Sequence, residues 1–234
     1  FVIYDSADQK RLMRRVLQLQ NLDPVRFQPP VLLNMIEQHK NQGRGPEQVE
    51  VNEFDFVART VAELYPIYQN ELRQAGALDF ADLLFEMVHL LRRHPALREQ
   101  FRERFSHVLV DEYQDTNTIQ IELLKHICQG NSTCELCAVG DDDQSIYTWR
   151  GANPVSILHF ERDFSPATVY KLEENYRSTA PILDASNQLV SVNRIRRPKM
   201  LFTRAPHGSA PRFCLVKDEA EEAQLVAEHL LHAE

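Results

Sequence analysis

The stretch FSHVLVDEYQDTN, residues 105–117, decides the fold of this chain. It opens with a largely apolar run, and the run ends abruptly at Asp111 and Glu112. This pattern is typical of a buried parallel strand that carries two carboxylates at its carboxyl end. Open α/β sheets bind their ligands at that edge. The stretch therefore predicts an α/β fold with a ligand site directly after the strand.

Two more polar clusters follow apolar runs in the same way. GDDDQSIYTWRGA, residues 140–152, follows a strand predicted over residues 134–139. LEENYRST, residues 172–179, follows a strand predicted over residues 168–172. Helices are predicted between and after these strands, over residues 117–129, from Asn153 onward, and over residues 181–192 and 219–232, with a last strand over 212–216. Alternating strands and helices predict a parallel sheet.

The first 104 residues predict helices joined by loops. Asp5 and Ser6 are predicted to cap the first helix, with Ser6 and Gln9 at capping-box spacing, and Asp79 is the predicted cap of a later helix. A long helix is predicted over residues 54–76, where Pro66 is expected to kink or break it. The predicted inward positions are Leu12, Met13, Val16, Leu17, Leu32, Leu33, Ile36, Phe54, Val57, Val61, Leu64, Tyr68, Leu72, Phe80, Leu83, Leu84, Met87 and Leu91.

Composition places the chain among soluble globular proteins. It has 234 residues with 43% apolar content, enough for a sizeable core. No apolar run approaches the ~20 residues of a membrane span, and no secretory segment opens the sequence, so an intracellular protein is predicted. The formal charge of -8 argues against indiscriminate coating of nucleic acid, although a local basic stripe could still contact phosphates. A basic segment occurs over residues 194–204, and its role stays open. Both ends of the sequence fall inside regular patterns, which predicts a piece of a longer protein.

Four cysteines occur, and Cys134 and Cys137 form a lone CxxC. Without a second pair or a nearby pair of histidines, a zinc site is poorly supported. We expect buried apolar cysteines on a strand instead.

Asp111 and Glu112 have the chemistry that hydrolysis of a nucleoside triphosphate needs. One carboxylate would hold Mg²⁺, and the other would orient or deprotonate the attacking water. Asp111 is the predicted metal ligand and Glu112 the predicted base. The alternative is a simple helix-capping turn, because residues 115–117 precede a helix.

The second cluster adds a neutral amide and two aromatic rings. Gln144 could sense a terminal phosphate, while Tyr147 and Trp149 could stack on bases or pack the loop against the sheet. The neighbouring acids, residues 141–143, could be a metal site, but consecutive residues do not converge on one ion without a special turn. Solvated loop acids or caps are the alternative.

In the third cluster, Arg177 could act as an arginine finger on a transferring phosphoryl group, and Tyr176 could cover an adenine face. A surface ion pair is the alternative for Arg177. No GxxxxGK[ST] occurs in the sequence, so the loop that cradles phosphates is missing. A chain with carboxylates, sensor and finger but without this cradle is expected to hydrolyse ATP hardly at all.

The three polar strings resemble motifs II, III and IV of superfamily 1 DNA helicases of the Rep/UvrD/PcrA group. Residues 78–84 also resemble the Leu-Asp-Phe-Asp-Asp-Leu segment of that group, with Ala81 where an Asp is usual. The resemblance covers essentially the whole chain. It implies a partial RecA-like (P-loop NTPase) parallel sheet with a mainly α-helical inserted subdomain. Residues 1–77 would be the 1B-type insertion, 78–170 the rest of the first RecA-like domain, and 171–234 the start of the second.

The resemblance also implies an activity, which is ATP-driven 3′-to-5′ movement on single-stranded DNA. The cofactors would be ATP and Mg²⁺, and DNA duplex junctions would be further substrates, in repair or replication in the cytoplasm at the nucleoid. Asp111 and Glu112 would serve Mg²⁺ and water, Gln144 and Arg177 the terminal phosphate, and Tyr176 the adenine. Tyr147 and Trp149 would stack on DNA, and Arg150 would link its loop to the nucleotide cleft or to DNA.

Motif I is expected before Phe1, and motifs V and VI after Glu234, so the chain alone is expected to be inactive. Two other functions stay open. One is a DNA-binding or protein-docking module without motor activity. The other is the helicase part of a recombination helicase-nuclease.

Overall fold

A computed structural model describes residues 1–49, 55–205 and 207–232, with only the backbone of Arg150. Backbone contacts divide the chain into two compact units, Phe1–Val169 and Tyr170–Glu234, and each is described by itself. The strands are β1 (Val2–Ile3), β2 (Ala77–Leu78), β3 (His107–Val110) and β4 (Glu135–Ala138). The helices are α1 (Ser6–Leu19), α2 (Pro29–Asn41), α3 (Phe56–Gln74), α4 (Phe80–Arg93), α5 (Pro95–Arg104), α6 (Thr118–Cys128), α7 (Phe160–Asp163), α8 (Ala180–Val190) and α9 (Glu219–Leu231).

Helices α1, α2 and α3 share one apolar core. Their buried residues recur every three or four positions, as a helix with one inward face requires. Met13, Tyr65 and Tyr68 are completely buried there. The inward face predicted for α1 is confirmed, because the residues it buries are Leu12, Met13, Val16 and Leu17.

The cap predicted at Asp5 and Ser6 is confirmed for Asp5, whereas the predicted break at Pro66 is wrong. The N-cap of α1 is Asp5, whose carboxylate accepts hydrogen bonds from the backbone N–H groups of Ala7 and Asp8, and Ser6 is already helical. Helix α3 runs through Pro66 without a break. Proline removes one backbone hydrogen bond, but the buried residues on both sides of it, such as Tyr65 and Tyr68, hold the helix against the core. Phe54, predicted as the first inward residue, lies outside the described residues.

A buried cluster of charged groups joins α2, α3 and α4. Lys40 is fully buried, and its Nζ lies 2.6 Å from Asp79 Oδ2 and 2.7 Å from Asp82 Oδ1. Tyr68 donates a hydrogen bond to Asp79, and Gln69 donates one to Asp82. Burial raises the pKa of the Asp82 carboxyl, against the opposing effect of Lys40. Without Lys40, two carboxylates would be buried without a counter-charge.

The start of α4 follows from this cluster. Asp79 caps the helix in a reciprocal box with Asp82, so the predicted cap is confirmed. The box turns Asp82 and Phe85 inward, and the buried row continues every three residues to Leu91. Phe80 lies off that row and is 58% exposed, so its predicted inward position is wrong.

Two small parallel sheets lie in the first unit. β1 pairs with β2, which places Val2 opposite Ala77. β3 pairs with β4, with Val108 opposite Leu136 and Val110 opposite Ala138, and α6 connects the two strands. The parallel pairing is as predicted.

The expected burial of β3 is wrong. Leu109 is 81% exposed, whereas Val108 and Val110 pack against an apolar core that contains Tyr113. Only one face of this two-stranded sheet is covered, since side chains alternate between its faces.

The helix predicted from Asn153 is largely a set of turns. Asn153 accepts hydrogen bonds from the N–H groups of Val155 and Ser156, which closes the chain tightly before a helix can propagate. Only the four residues of α7 are helical. The apolar residues of this segment still pack on the β3–β4 core, where the rings of Phe160 and Tyr113 meet edge to face at 5.2 Å.

The second unit contains α8 and α9 as predicted, but not the predicted strands. Residues 168–172 and 212–216, all of them described, form no strand. A single parallel bridge joins Glu174 to Phe202. Leu172 and Leu215 are 82% and 102% exposed, because no neighbouring strand satisfies their backbones or covers their side chains. Across all the residues described, no helix is both long and apolar enough to span a bilayer.

Candidate functional site

The carboxyl end of β3 presents Asp111 and Glu112 to solvent. Asp111 Oδ1 accepts a hydrogen bond from the backbone N–H of Glu112 at 3.0 Å. Glu112 has a φ of 49°, in the left-handed region that residues other than glycine rarely adopt. Such backbone strain is concentrated at functional sites in proteins. Asp111 and Glu112 therefore follow β3 directly, in a turn that leaves both side chains exposed.

Gln114 ties this turn to the loop after β4. It is almost completely buried. Its Nε2 donates to Glu112 Oε2 at 2.8 Å, and its Oε1 accepts from the backbone N–H of Asp141 at 2.9 Å. One amide thus fixes the side chain of the predicted base and the start of the acidic loop. The sequence analysis assigns no role to Gln114, although an amide between the acidic residues Glu112 and Asp115 is a usable signal.

Gly140 allows this close approach. A Cβ atom there would lie 2.6 Å from Gln114 Oε1 and 3.1 Å from the backbone nitrogen of Tyr113. That nitrogen donates to the carbonyl of Val139 at 2.9 Å. Any side chain at this position would therefore push the ends of the two strands apart.

The acidic loop folds into a short 3₁₀ turn. Asp141 accepts hydrogen bonds from the backbone N–H of Asp143 and from the side-chain amide of Gln144, at 3.0 and 2.7 Å. One carboxylate oxygen each from Asp141, Asp142 and Asp143 lies within 4.8 Å of the others. Consecutive acids were expected to converge only in a special turn, and this 3₁₀ turn brings their oxygens together. Exposed acidic groups are common without a metal, so the convergence alone assigns no site.

Tyr147 and Trp149 lie beside the next 3₁₀ turn. Their ring centroids are 6.3 Å apart, and Trp149 is 64% exposed. Gly151 then adopts a φ of 86°, and Ala152 forms an antiparallel bridge with Asn117, the N-cap of α6. The aromatic loop is thereby attached at its end to the helix that follows β3.

Tyr176 and Arg177 belong to the second unit. Asn175 accepts hydrogen bonds from the backbone N–H groups of Arg177 and Ser178, which fixes a tight turn. Both Tyr176 and Arg177 point outward from this turn and are exposed. A hydrogen bond to Glu174 raises the pKa of the Tyr176 hydroxyl.

The cysteines differ from the expectation. Cys134 Sγ lies 3.6 Å from Cys128 Sγ on α6, and both are free thiols. Burial raises the pKa of the Cys128 thiol to about 12, which keeps it protonated at neutral pH. Cys137 is exposed on β4, so the predicted burial of the strand cysteines is wrong for this residue.

The sheet edge after β3 has suitable ligands for the Mg²⁺ of a magnesium nucleotide. Asp111 and Glu112 offer exposed carboxylate oxygens, which are the hard ligands that Mg²⁺ prefers. Gln144 supplies a side-chain amide on the loop that follows β4. The structure brings the turn that carries Asp111 and Glu112 against the loop that carries Gln144, through Gln114.

Comparisons with known proteins identify the family of the chain. The family model of the UvrD/REP helicase N-terminal domain matches residues 1–165. The ATP-dependent DNA helicase PcrA of Staphylococcus epidermidis is 39% identical over 231 residues, which are 99% of this chain and 31% of that protein. The PcrA protein of Staphylococcus aureus is 38% identical over the same shares. The chain spans about a third of the length of these curated relatives, and it belongs to the UvrD/REP helicase family.

Proposed function

We propose that this chain supplies the metal-binding and water-activating side of the ATP site of a DNA helicase, together with part of its DNA-binding surface. The observation that carries the proposal is the Gln114 bridge. It joins Glu112 at the end of β3 to Asp141 at the end of β4. A simple capping turn needs no buried amide to hold two polar loops together at a sheet edge.

In this proposal Asp111 and Glu112, the two acidic residues directly after β3, have separate roles. Asp111 holds Mg²⁺, which would offset the negative charge on the phosphates when the nucleotide is bound. Glu112 orients and deprotonates the attacking water, and Gln114 keeps its carboxylate in place through a hydrogen bond of 2.8 Å.

Gln144 contacts the terminal phosphate in the same proposal. Its amide donates to Asp141 in this structure, so it exchanges that partner for a phosphate oxygen when nucleotide binds. Arg177 neutralises charge on the transferred group, and Tyr176 covers the adenine. Their exposure on a tight turn leaves both side chains available for this contact.

On the DNA side, Tyr147 and Trp149 stack on bases of a single strand. An aromatic ring as exposed as Trp149, in a loop joined to the ATP-binding edge, suits this role. The whole protein would move 3′ to 5′ along single-stranded DNA and act at duplex junctions. It would serve repair or replication, in the cytoplasm at the nucleoid.

We also propose the domain assignment that the family resemblance implies. Residues 1–77 form the helical 1B-type insertion, residues 78–170 continue a RecA-like domain, and residues 171–234 begin a second one. The shared core of α1, α2 and α3 supports grouping these helices, and backbone contacts place them in one compact unit with residues 78–169. Because the sequence has no GxxxxGK[ST], the 234-residue chain by itself is expected to show little ATP hydrolysis.

The test is Glu112→Gln in the whole protein. We expect ATP hydrolysis stimulated by single-stranded DNA to fall about 10²- to 10⁴-fold, because a general base is lost while shape is kept. Glu103→Gln, on the exposed surface of α5, is the matched control and should leave the rate unchanged. An unchanged rate in Glu112→Gln would remove the catalytic assignment. It would favour a DNA-binding or docking module without motor activity.

A recombination helicase-nuclease would give the same ATPase result. DNA degradation by the whole protein, measured with Mg²⁺ and ATP, separates this alternative from a helicase without nuclease activity.

A further inference from the structure

A polar cavity of about 540 Å³ opens in the first unit between α5, α6 and the turns that follow Asn153. Arg98 and Arg102 line it from α5, Lys125 from α6, and Arg162 from α7. None of the described residues that line it is Phe, Tyr or Trp. The cavity therefore offers mainly cationic groups, and its only aromatic rings among the described lining residues are the imidazoles of His126 and His159.

The carboxylates in this cavity are already engaged. Asp163 lies 3.1 Å from Lys125 Nζ and 3.5 Å from Arg162 Nε. Glu122 is shared between Arg92 and His126. Neither acid is left to neutralise a further cation.

Arg98 is the cation that remains. Among the residues that the structure describes, its guanidinium has no ion-pair partner, and its buried Nε has no hydrogen-bond acceptor. Arg102, by contrast, donates to the carbonyls of His126 and Gln129 at 2.9 and 2.8 Å, so it is fixed at the end of α6. A half-buried guanidinium without a partner is a favourable binding group for an anion, which would accept its unsatisfied hydrogen bonds.

The cavity is also close to the exposed aromatic loop. Asn153 at its rim is four residues after Trp149, so the backbone between them spans at most about 14 Å. The N–H of Asn153 donates to the carbonyl of Thr116, which holds the rim beside the start of α6. A single strand bound over a site of about 4 to 16 nucleotides is long enough to reach both.

We propose that this cavity binds a backbone phosphate of single-stranded DNA, with Arg98 as its main contact. The inference rests on the proposed function, because it requires a DNA strand at Tyr147 and Trp149. Arginine forms two parallel hydrogen bonds with a phosphate, and such a contact adds affinity without sequence preference. The proximity of Trp149 favours DNA over an acidic peptide.

The test measures binding of a fluorescent oligothymidylate to the 234-residue chain by anisotropy at several salt concentrations. Arg98→Gln should weaken binding several-fold at low salt. It should reduce the slope of log K against log salt by about 0.7, the value for one phosphate contact on a single strand. Arg104→Gln makes the same charge change on the same helix outside the cavity lining, and it should alter neither quantity.

Arg162→Gln is a second variant, which still tests the cavity if Arg98→Gln fails to fold. The Arg162 side chain is 69% exposed on α7. We expect Arg162→Gln to weaken DNA binding and to reduce the salt slope, by less than Arg98→Gln does. If neither variant lowers the salt slope more than Arg104→Gln does, the cavity is no phosphate site.

Trp149→Ala separates this inference from the proposed function. Weaker DNA binding in Trp149→Ala with an unchanged salt slope in Arg98→Gln would overturn the cavity proposal alone. A chain that binds no oligothymidylate even at low salt would overturn both. If Arg98→Gln instead loses binding of a poly-glutamate peptide and keeps that of DNA, the ligand is an acidic peptide and the proposal is wrong.

Discussion

The first unit holds two pairs of acidic residues in opposite environments. Asp79 and Asp82 are buried among α2, α3 and α4 with Lys40 between them. Asp111 and Glu112 are exposed at the end of β3, whose Leu109 is exposed as well. Buried carboxylates with fixed partners hold helices together, whereas exposed ones can exchange partners with water and ligands. From this comparison we expect the helical core to supply stability and the sheet edge to carry the proposed chemistry.

The largest loss of unfolding free energy is expected from Lys40→Met. It leaves two buried carboxylates without their counter-charge, which costs about 3 to 5 kcal/mol of unfolding free energy. Urea unfolding of the 234-residue chain measures this. Lys10→Met, on the partly exposed surface of α1, should change stability by less than about 0.5 kcal/mol. Equal stability of the two variants would show that the buried cluster is not essential to the helical core.

A smaller loss of unfolding free energy is expected from Gly140→Ala. The added methyl group would lie 2.6 Å from Gln114 Oε1, so the strand ends must shift, at a cost of about 1 to 3 kcal/mol. Urea unfolding also checks this value. In a Gln114→Ala background the nearest obstacle is gone, and the cost of the same methyl should fall. A cost that stays the same in both backgrounds would mean that the Gln114 contact does not limit the approach of the two loops.

The pH dependence of stability should arise in the helical regions. Burial lowers the pKa of His39 on α2, of His89 on α4 and of His126 on α6 below the ordinary 6.5. The unfolded chain therefore binds protons that the folded chain does not, and stability should fall as pH drops below about 6.5. Urea midpoints between pH 8 and pH 5 measure this. The decrease should be shallower in His39→Gln, and an equal slope would exclude His39 as a contributor.

The smallest effect on stability is expected from Asp111→Asn. Its side chain is exposed, so the free energy of unfolding should change by less than about 0.5 kcal/mol. DNA-stimulated ATP hydrolysis by the whole protein should nevertheless be lost, because the proposed Mg²⁺ ligand is neutralised. A large loss of stability in this variant would give Asp111 a structural task and remove the contrast with Asp82.

Local patterns predicted much of the fold. The spacing of Met13, Val16 and Leu17 was enough to give the buried face of α1, and Asp79 was a recognisable helix cap. These features depend on residues a few positions apart. The predicted strand over residues 168–172 failed because a strand needs a partner, and apolar content alone does not provide one.

The sequence by itself determined the acidic pair after a strand, the parallel pairing of β3 with β4 and the family. Apolar periodicity and polar strings are properties of adjacent residues, so they can be read without coordinates. Only the tertiary structure decided that Lys40 is buried between Asp79 and Asp82, and that Gln114 bridges Glu112 to Asp141. Those contacts join groups as many as 42 positions apart in the chain, from Lys40 to Asp82, and no local spacing encodes them.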